Sequence, residues 1–327
     1  TRLGDYNIIT NSLGFRDKST RDIKLNSDKK RILFIGDSFT DGIFLDYEKS
    51  FVGIIDSTLN EYSIEVLNGG VTWYSPVIYF KKIEYLVDKM DLDFDELIIF
   101  IDYSDWHNEY YSFRISNDSS RVIDLRKTDN SLVSQNNDIS IEYIKAIIYN
   151  NTLFTYFILD KIHDLLSINE EEQLKYEEEQ LKLKNQFSRP RWDSLIPKWK
   201  ELIKKDYSKE SDFIIGMESC KFYLDKIYSI SQKKQFKISI ALYPSAGFVY
   251  GIPNEPWINS FKDWSRKKNI KMYDFFKEFE TIQSSNNYYQ TLVDYYLPND
   301  IHFNEKGNRF IAYHFLKIYL NTMILNK

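Results

Sequence analysis

The chain has 327 residues, of which 43% are hydrophobic and 28% charged. It is long enough for one large domain or two, with a full core and the composition of a soluble globular protein. A formal net charge of -5 leaves no basic footprint for nucleic acid. No run approaches the roughly 18 consecutive apolar residues of a membrane helix, and Cys220, the only cysteine, excludes an intrachain disulfide.

In chain order, the first strong element is the apolar run Ile32 to Ile35, which stops at Gly36-Asp37-Ser38-Phe39-Thr40. A helix is expected over Val52 to Leu59, then a strand over Ile64 to Leu67 ending in Asn68-Gly69-Gly70-Val71. A helix over Val77 to Met90 leads to a strand over Leu97 to Ile101 ending in Asp102-Tyr103-Ser104-Asp105. Strand and helix alternating in this way argue for a parallel sheet covered on both faces. All three motifs then fall at the carboxyl ends of strands, where such sheets bind ligands.

From Glu109 to Ser211 the alternation breaks, over a length too great for a plain crossover. This insertion begins polar, with a short strand near Val122 to Leu125. It becomes apolar and aromatic over Ile139 to Ile168, at close to helical spacing, and then repeats Glu-Glu-Glu-Gln-Leu-Lys at residues 170 and 177. Its apolar part, Tyr143 to Leu166, is expected to cover the Ser38 pocket, with the charged helix from Glu170 to Lys184 facing water. The alternation resumes with strands over Lys237 to Leu242, ending in Tyr243-Pro244-Ser245, and over Ile270 to Tyr273. The helix Glu305 to Tyr319 closes the chain. The expected architecture is a three-layer α/β/α fold of flavodoxin-like topology over residues 1–108 and 212–327, with a mainly helical insertion or cap over 109–211.

A serine on a sharp strand-to-helix turn projects its hydroxyl where backbone N–H groups can meet an oxyanion. Far downstream, Pro298-Asn299-Asp300-Ile301-His302 supplies a histidine with a carboxylate two residues before it. Serine, histidine and carboxylate are the parts of activated-serine chemistry.

Gly36-Asp37-Ser38-Phe39-Thr40 resembles the first block of the SGNH (GDSL) hydrolase superfamily, Asn68-Gly69-Gly70-Val71 its second, and Asp300-Ile301-His302 its last in the Asp-x-His form. The segment Asn11-Ser12-Leu13-Gly14-Phe15-Arg16-Asp17 is similar to a lead-in carried by many bacterial members. The resemblance implies an esterase or O-acetyltransferase without a cofactor or metal. Ser38 would be nucleophile, His302 general base and Asp300 its orienting carboxylate, preferred over Asn299 because a carboxylate better stabilises an imidazolium. The oxyanion hole would draw on the backbone N–H of Ser38 and Gly70. Where the family has asparagine in its third block this chain has Ser104, whose hydroxyl is a weaker donor.

Asp37, Trp73, Tyr74, Asp105, Trp106 and Tyr243 follow the motif loops and are candidate substrate contacts, the aromatic ones as a sugar-stacking wall. The implied partner is an acylated carbohydrate or lipid. Thr1 is not expected to be the native start, and the resemblance of the lead-in implies a signal or membrane anchor ahead of it, with an extracytoplasmic location in a bacterium expected. The alternative reading is a catalytically weak module that presents the insertion to an envelope glycan or membrane partner.

Overall fold

The computed structural model describes residues 6–116, 119, 121–127, 210–249, 255–285, 288–298 and 300–325. Five parallel strands form one sheet: β1 (Arg31–Ile35), β2 (Glu65–Asn68), β3 (Glu96–Ile101), and then two after the insertion. The antiparallel hairpin of β4 (Phe113–Ile115) and β5 (Val122–Asp124) stands apart, so those two strands are β6 (Lys237–Leu242) and β7 (Lys271–Asp274). The sheet order is β2-β1-β3-β6-β7. After β2 the chain returns to the other side of β1, so the crevice between the carboxyl ends of β1 and β3 is the topological switch point, where open parallel sheets bind ligands.

These strands are apolar throughout because helices bury both faces. All five residues of β1 are buried. On one face Phe34 and Phe100 stack with Phe315 and Phe51, carried by α10 (Glu305–Leu325) and α2 (Phe51–Asn60). The other layer is built from α3 (Pro76–Asp88), α4 (Ser104–Tyr111) and α5 (Ser211–Lys234), which pack on one another. α1 (Ser38–Asp41) is the single turn after β1. Between β6 and β7 lie α6 (Ala246–Val249) and α7 (Glu255–Lys268), and β7 is followed by α8 (Phe276–Ser285) and α9 (Tyr288–Tyr295). Each large aromatic fully buried in this way contributes roughly 1.5–3 kcal/mol. The aromatic excess of the composition therefore goes largely into packing.

The elements expected from the sequence over the sheet domain are present, with ends moved by one or two residues except in the closing helix, which runs six residues past Tyr319 to Leu325. Glu109 to Lys127, assigned above to the insertion, are built into the sheet domain. Glu109 accepts from the Ser75 hydroxyl, the Val77 amide and the Ser219 hydroxyl at 2.7–2.8 Å, which ties α4 to α3 and α5. The expected helices at Tyr143 to Leu166 and Glu170 to Lys184 lie outside the described residues. No helix among the described residues is long and apolar enough to cross a membrane.

Candidate active site

Ser38 is the first residue of α1, and Asp37 caps that turn by accepting the Phe39 amide at 3.0 Å. The turn places the Ser38 hydroxyl 2.7 Å from His302 Nε2. On the far side of the imidazole, Nδ1 lies 2.5 Å from Asp300 Oδ1, which also accepts the His302 amide at 3.1 Å. With the Nδ1 proton on the carboxylate side, Nε2 is the acceptor for the serine hydroxyl. Residues 264 apart in sequence thus form one hydrogen-bonded chain from carboxylate to hydroxyl.

The loop that carries the histidine is tightly closed. Leu297 N–H donates to His302 O, Asp300 N–H to Leu297 O, and Asn304 N–H to Tyr295 O. Asn304 then caps α10 through the Gly307 amide at 3.0 Å. Over the imidazole lie Phe39, with ring centres 4.7 Å apart, and Phe44, edge-on at 5.8 Å. Asn299, the competitor for Asp300, lies outside the described residues.

Gly70 does not have the role expected of it. Its N–H is donated to Asn68 Oδ1 at 3.0 Å and is unavailable to an oxyanion. Glycine is needed there for another reason: a Cβ would stand 2.5 Å from the Asp41 nitrogen and 2.7 Å from the Thr40 carbonyl carbon, so any side chain would push away the turn that carries Ser38. Other amides of the loop are spent as well. Gly69 N–H goes to Phe34 O, Val71 N–H to Gly36 O and Tyr74 N–H to Val71 O. Among the described residues the Trp73 amide has no backbone acceptor, and the Ser38 amide likewise has none.

Ser104 begins α4 at the end of β3, exposed, with its N–H donated to Asp102 Oδ1 at 2.8 Å. Of the six expected substrate contacts, four are buried away from any ligand. The Asp37 carboxylate is occupied by the Phe39 amide and the Tyr243 hydroxyl, the latter at 3.1 Å. Asp105, 0% exposed, accepts from the Tyr79 hydroxyl and the Asp102 amide. Trp106 is packed against Phe213 and Tyr103, and Tyr243 against Phe39 and Phe100. Asp37, Asp105 and Tyr243 find their partners in the interior, whereas the Trp106 indole N–H is buried without one among the described residues. Tyr74 is half-buried, its carbonyl accepting from the Tyr79 hydroxyl. Trp73 stands in solvent at 62% exposure.

Beneath the switch point the acidic residues crowd. Burial pushes Asp37 and Asp105 well above the usual carboxylate range, and the neighbouring Asp102 pushes both the same way. No cluster of residues fit to hold a metal occurs among the described residues. The linkage has a definite sign. With a folded pKa raised above the unfolded value near 4, Asp105 releases its proton later in the native state than in the unfolded chain, so its contribution to stability falls as pH rises past about 4. Asp105→Asn is therefore expected to gain stability relative to the parent as pH rises from about 4 in urea unfolding. A difference that stays constant as pH rises would mean that Asp105 is ionised in the folded protein.

The lead-in reaches the site through Arg16. Its guanidinium donates to the carbonyls of Asp41 at 2.8 Å, Gly42 at 2.5 Å and Leu45, holding the loop that carries Phe44 onto His302. Lys82 of α3 donates to Gly69 O at 2.7 Å, with its ammonium lowered to about 8 by burial. Neither residue was assigned a role from sequence, since both act through carbonyls that no motif reveals.

No family model matches the chain, and no curated protein matches it in sequence. Among solved structures it is similar to the acetyl xylan esterase AlAXEase, at 13% identity and TM-score 0.46, covering 88% of this chain and 98% of that one. It is also similar to the acetylxylan esterase Axe2 from Geobacillus stearothermophilus, at 12% identity and TM-score 0.46, covering 90% and 95%. A putative lipolytic protein of the G-D-S-L family from Desulfitobacterium hafniense DCB-2 aligns at 12% identity and TM-score 0.41, covering 87% and 99%. The parallel β2-β1-β3-β6-β7 order, the Gly-Asp-Ser turn at its switch point and the Asp-x-His loop against that serine make this an SGNH (GDSL) hydrolase-like fold.

Proposed function

We propose that the protein is a serine ester hydrolase acting on an acyl group, acetyl by preference, carried by a carbohydrate or lipid. The observation that supports this most is the unbroken chain Asp300–His302–Ser38, with contacts of 2.5 Å and 2.7 Å at a serine that is only 8% exposed.

As Ser38 Oγ attacks the ester carbonyl, His302 Nε2 takes the hydroxyl proton, and Asp300 stabilises the imidazolium so formed. The tetrahedral oxyanion is met by the amide of Ser38, with the Ser104 hydroxyl at the end of the neighbouring strand as a second donor. Collapse breaks the bond to the alcohol, which leaves with the proton from His302. Water attacking the acyl-enzyme, with His302 as base, completes hydrolysis; a sugar hydroxyl in its place makes the reaction an O-acyl transfer. A preformed hydrogen-bond chain that aims a histidine at a buried serine has no use in a module that only binds. An extracytoplasmic location and a membrane-anchored partner go with a polymer substrate of the cell envelope.

A fluorophosphonate probe is the direct test, because it reacts with an activated serine whatever the natural acyl group. One adduct per chain is expected, on the peptide containing Ser38 by mass spectrometry, and none in His302→Ala. Labelling elsewhere, or none in the parent at high probe concentration, would sink the assignment.

A further inference from the structure

Among the described residues, seven other than glycine have φ in the left-handed region. Five of them, Ser63, Asp91, Ser119, Gln235 and Asn269, are polar residues of turns and helix ends, where such angles are common. The other two are large aromatics, Phe44 at φ 67° and Trp73 at φ 71°; Phe44 touches His302, and Trp73 follows two residues bonded to the turn that carries Ser38. Phe44 meets His302 edge-on and is half-buried, so its ring is accounted for by packing. Trp73 has no such account. Glycine at position 73 would relieve the backbone, keep the amide and remove an exposed indole, yet tryptophan stands there at 62% exposure. Strain combined with exposed apolar surface beside an active site points to a use for the side chain itself.

The indole is also held in place. Thr72, the residue before it, donates its hydroxyl to Asp41 Oδ2 at 2.9 Å, and Val71 N–H bonds to Gly36 O at 3.0 Å, which fixes the loop against the turn that carries Ser38. From the other side the β4–β5 hairpin brings Arg126 over the indole at 5.2 Å and over Phe113 at 4.8 Å. Arg126 is itself oriented by two 2.8 Å contacts to the Asp124 carboxylate. The result is an indole with one face under the Arg126 guanidinium and the rest of its surface open to water.

We propose that Trp73 is the stacking platform of a sugar subsite, gripping the pyranose ring that bears, or neighbours, the ester attacked by Ser38. A sugar ring has an apolar C–H face for the indole and equatorial hydroxyls for the Arg126–Asp124 edge. An acyl chain would instead need a closed apolar channel, which an indole at this exposure does not provide. The proposal rests on the ester-hydrolase reading of Ser38 and narrows its substrate to carbohydrate.

Trp73→Gly is the informative variant because it fits φ 71° and retains the amide. For a peracetylated disaccharide, kcat/KM is expected to fall roughly tenfold through KM, the size of one good contact. The loss on the disaccharide should exceed any loss on 4-nitrophenyl acetate at least about fivefold, and Trp73→Tyr should recover part of the disaccharide loss. Equal losses on both esters, no loss on either, or a matching loss on 4-nitrophenyl decanoate would each overturn the sugar platform. Binding tests it independently of catalysis. In Ser38→Ala, titration with the disaccharide should shift the indole Nε1–H resonance that Trp73→Gly removes, and a resonance that does not move refutes the subsite. Inactivity of the parent on every ester would instead refute the hydrolase reading.

Discussion

Ser38→Ala is expected to lower kcat/KM for 4-nitrophenyl acetate by roughly 10⁴–10⁶ while leaving the urea midpoint almost unchanged. The two halves of this expectation have separate grounds. The Ser38 hydroxyl has one partner, His302 Nε2, so its removal forfeits one hydrogen bond of roughly 1 kcal/mol and leaves the turn to its Asp37 cap and the Arg16 contacts. The chemical step loses its nucleophile and with it the covalent route; what survives is oxyanion stabilisation and binding. Because Ser38, His302 and Asp300 act as a unit, the triple alanine variant should be no slower than Ser38→Ala by more than a few-fold. Asp300→Asn should cost about 10⁴ by favouring the wrong tautomer at Nδ1. A Ser38→Ala protein that keeps a percent of the parent rate would mean that the hydrolysis arises elsewhere.

Arg16→Ala should have the opposite signature, damaging stability and rate together. Arg16 is 4% exposed, and burial lowers its pKa. Its guanidinium serves the carbonyls of three residues, Asp41, Gly42 and Leu45, whose loop presents no other described donor to them. Alanine leaves those carbonyls without a partner and a void behind them, for a loss of roughly 3–5 kcal/mol in urea unfolding. Release of the loop also takes Phe44 from the edge of His302, so kcat on small esters should fall roughly tenfold or more, from the imperfect positioning of the base. Arg16→Lys should restore little of either, since one ammonium cannot reproduce a planar fork aimed at carbonyls of three residues. Full stability in Arg16→Ala would show that the loop is held by its own turn instead.

These two variants also mark what could be read in advance. Apolar runs of four to six residues, each ending at a glycine or a polar turn, announce a parallel sheet, because strands buried on both faces tolerate nothing else. Ser38, His302 and Asp300 were legible because their chemistry needs particular residue types in short motifs. The burial of Asp37, Asp105, Trp106 and Tyr243, all expected from sequence to touch substrate, has a physical origin. Proximity to a motif in sequence says that a residue is near the strand end, and burial decides whether it faces the ligand or the interior.

The sequence by itself determined the alternation of strand and helix and the residue types of the triad, since both depend on local periodicity and local chemistry. Tertiary structure decided which amides are committed. Gly70 and Trp73 lie three residues apart in one loop, and the Gly70 amide is bonded to Asn68 Oδ1 whereas the Trp73 amide has no backbone acceptor among the described residues. It likewise decided that Arg16 serves the Ser38 turn and that Trp73 stays in water beneath Arg126. Backbone carbonyls and amides are identical at every position of a sequence, so what they bind is written only in the fold.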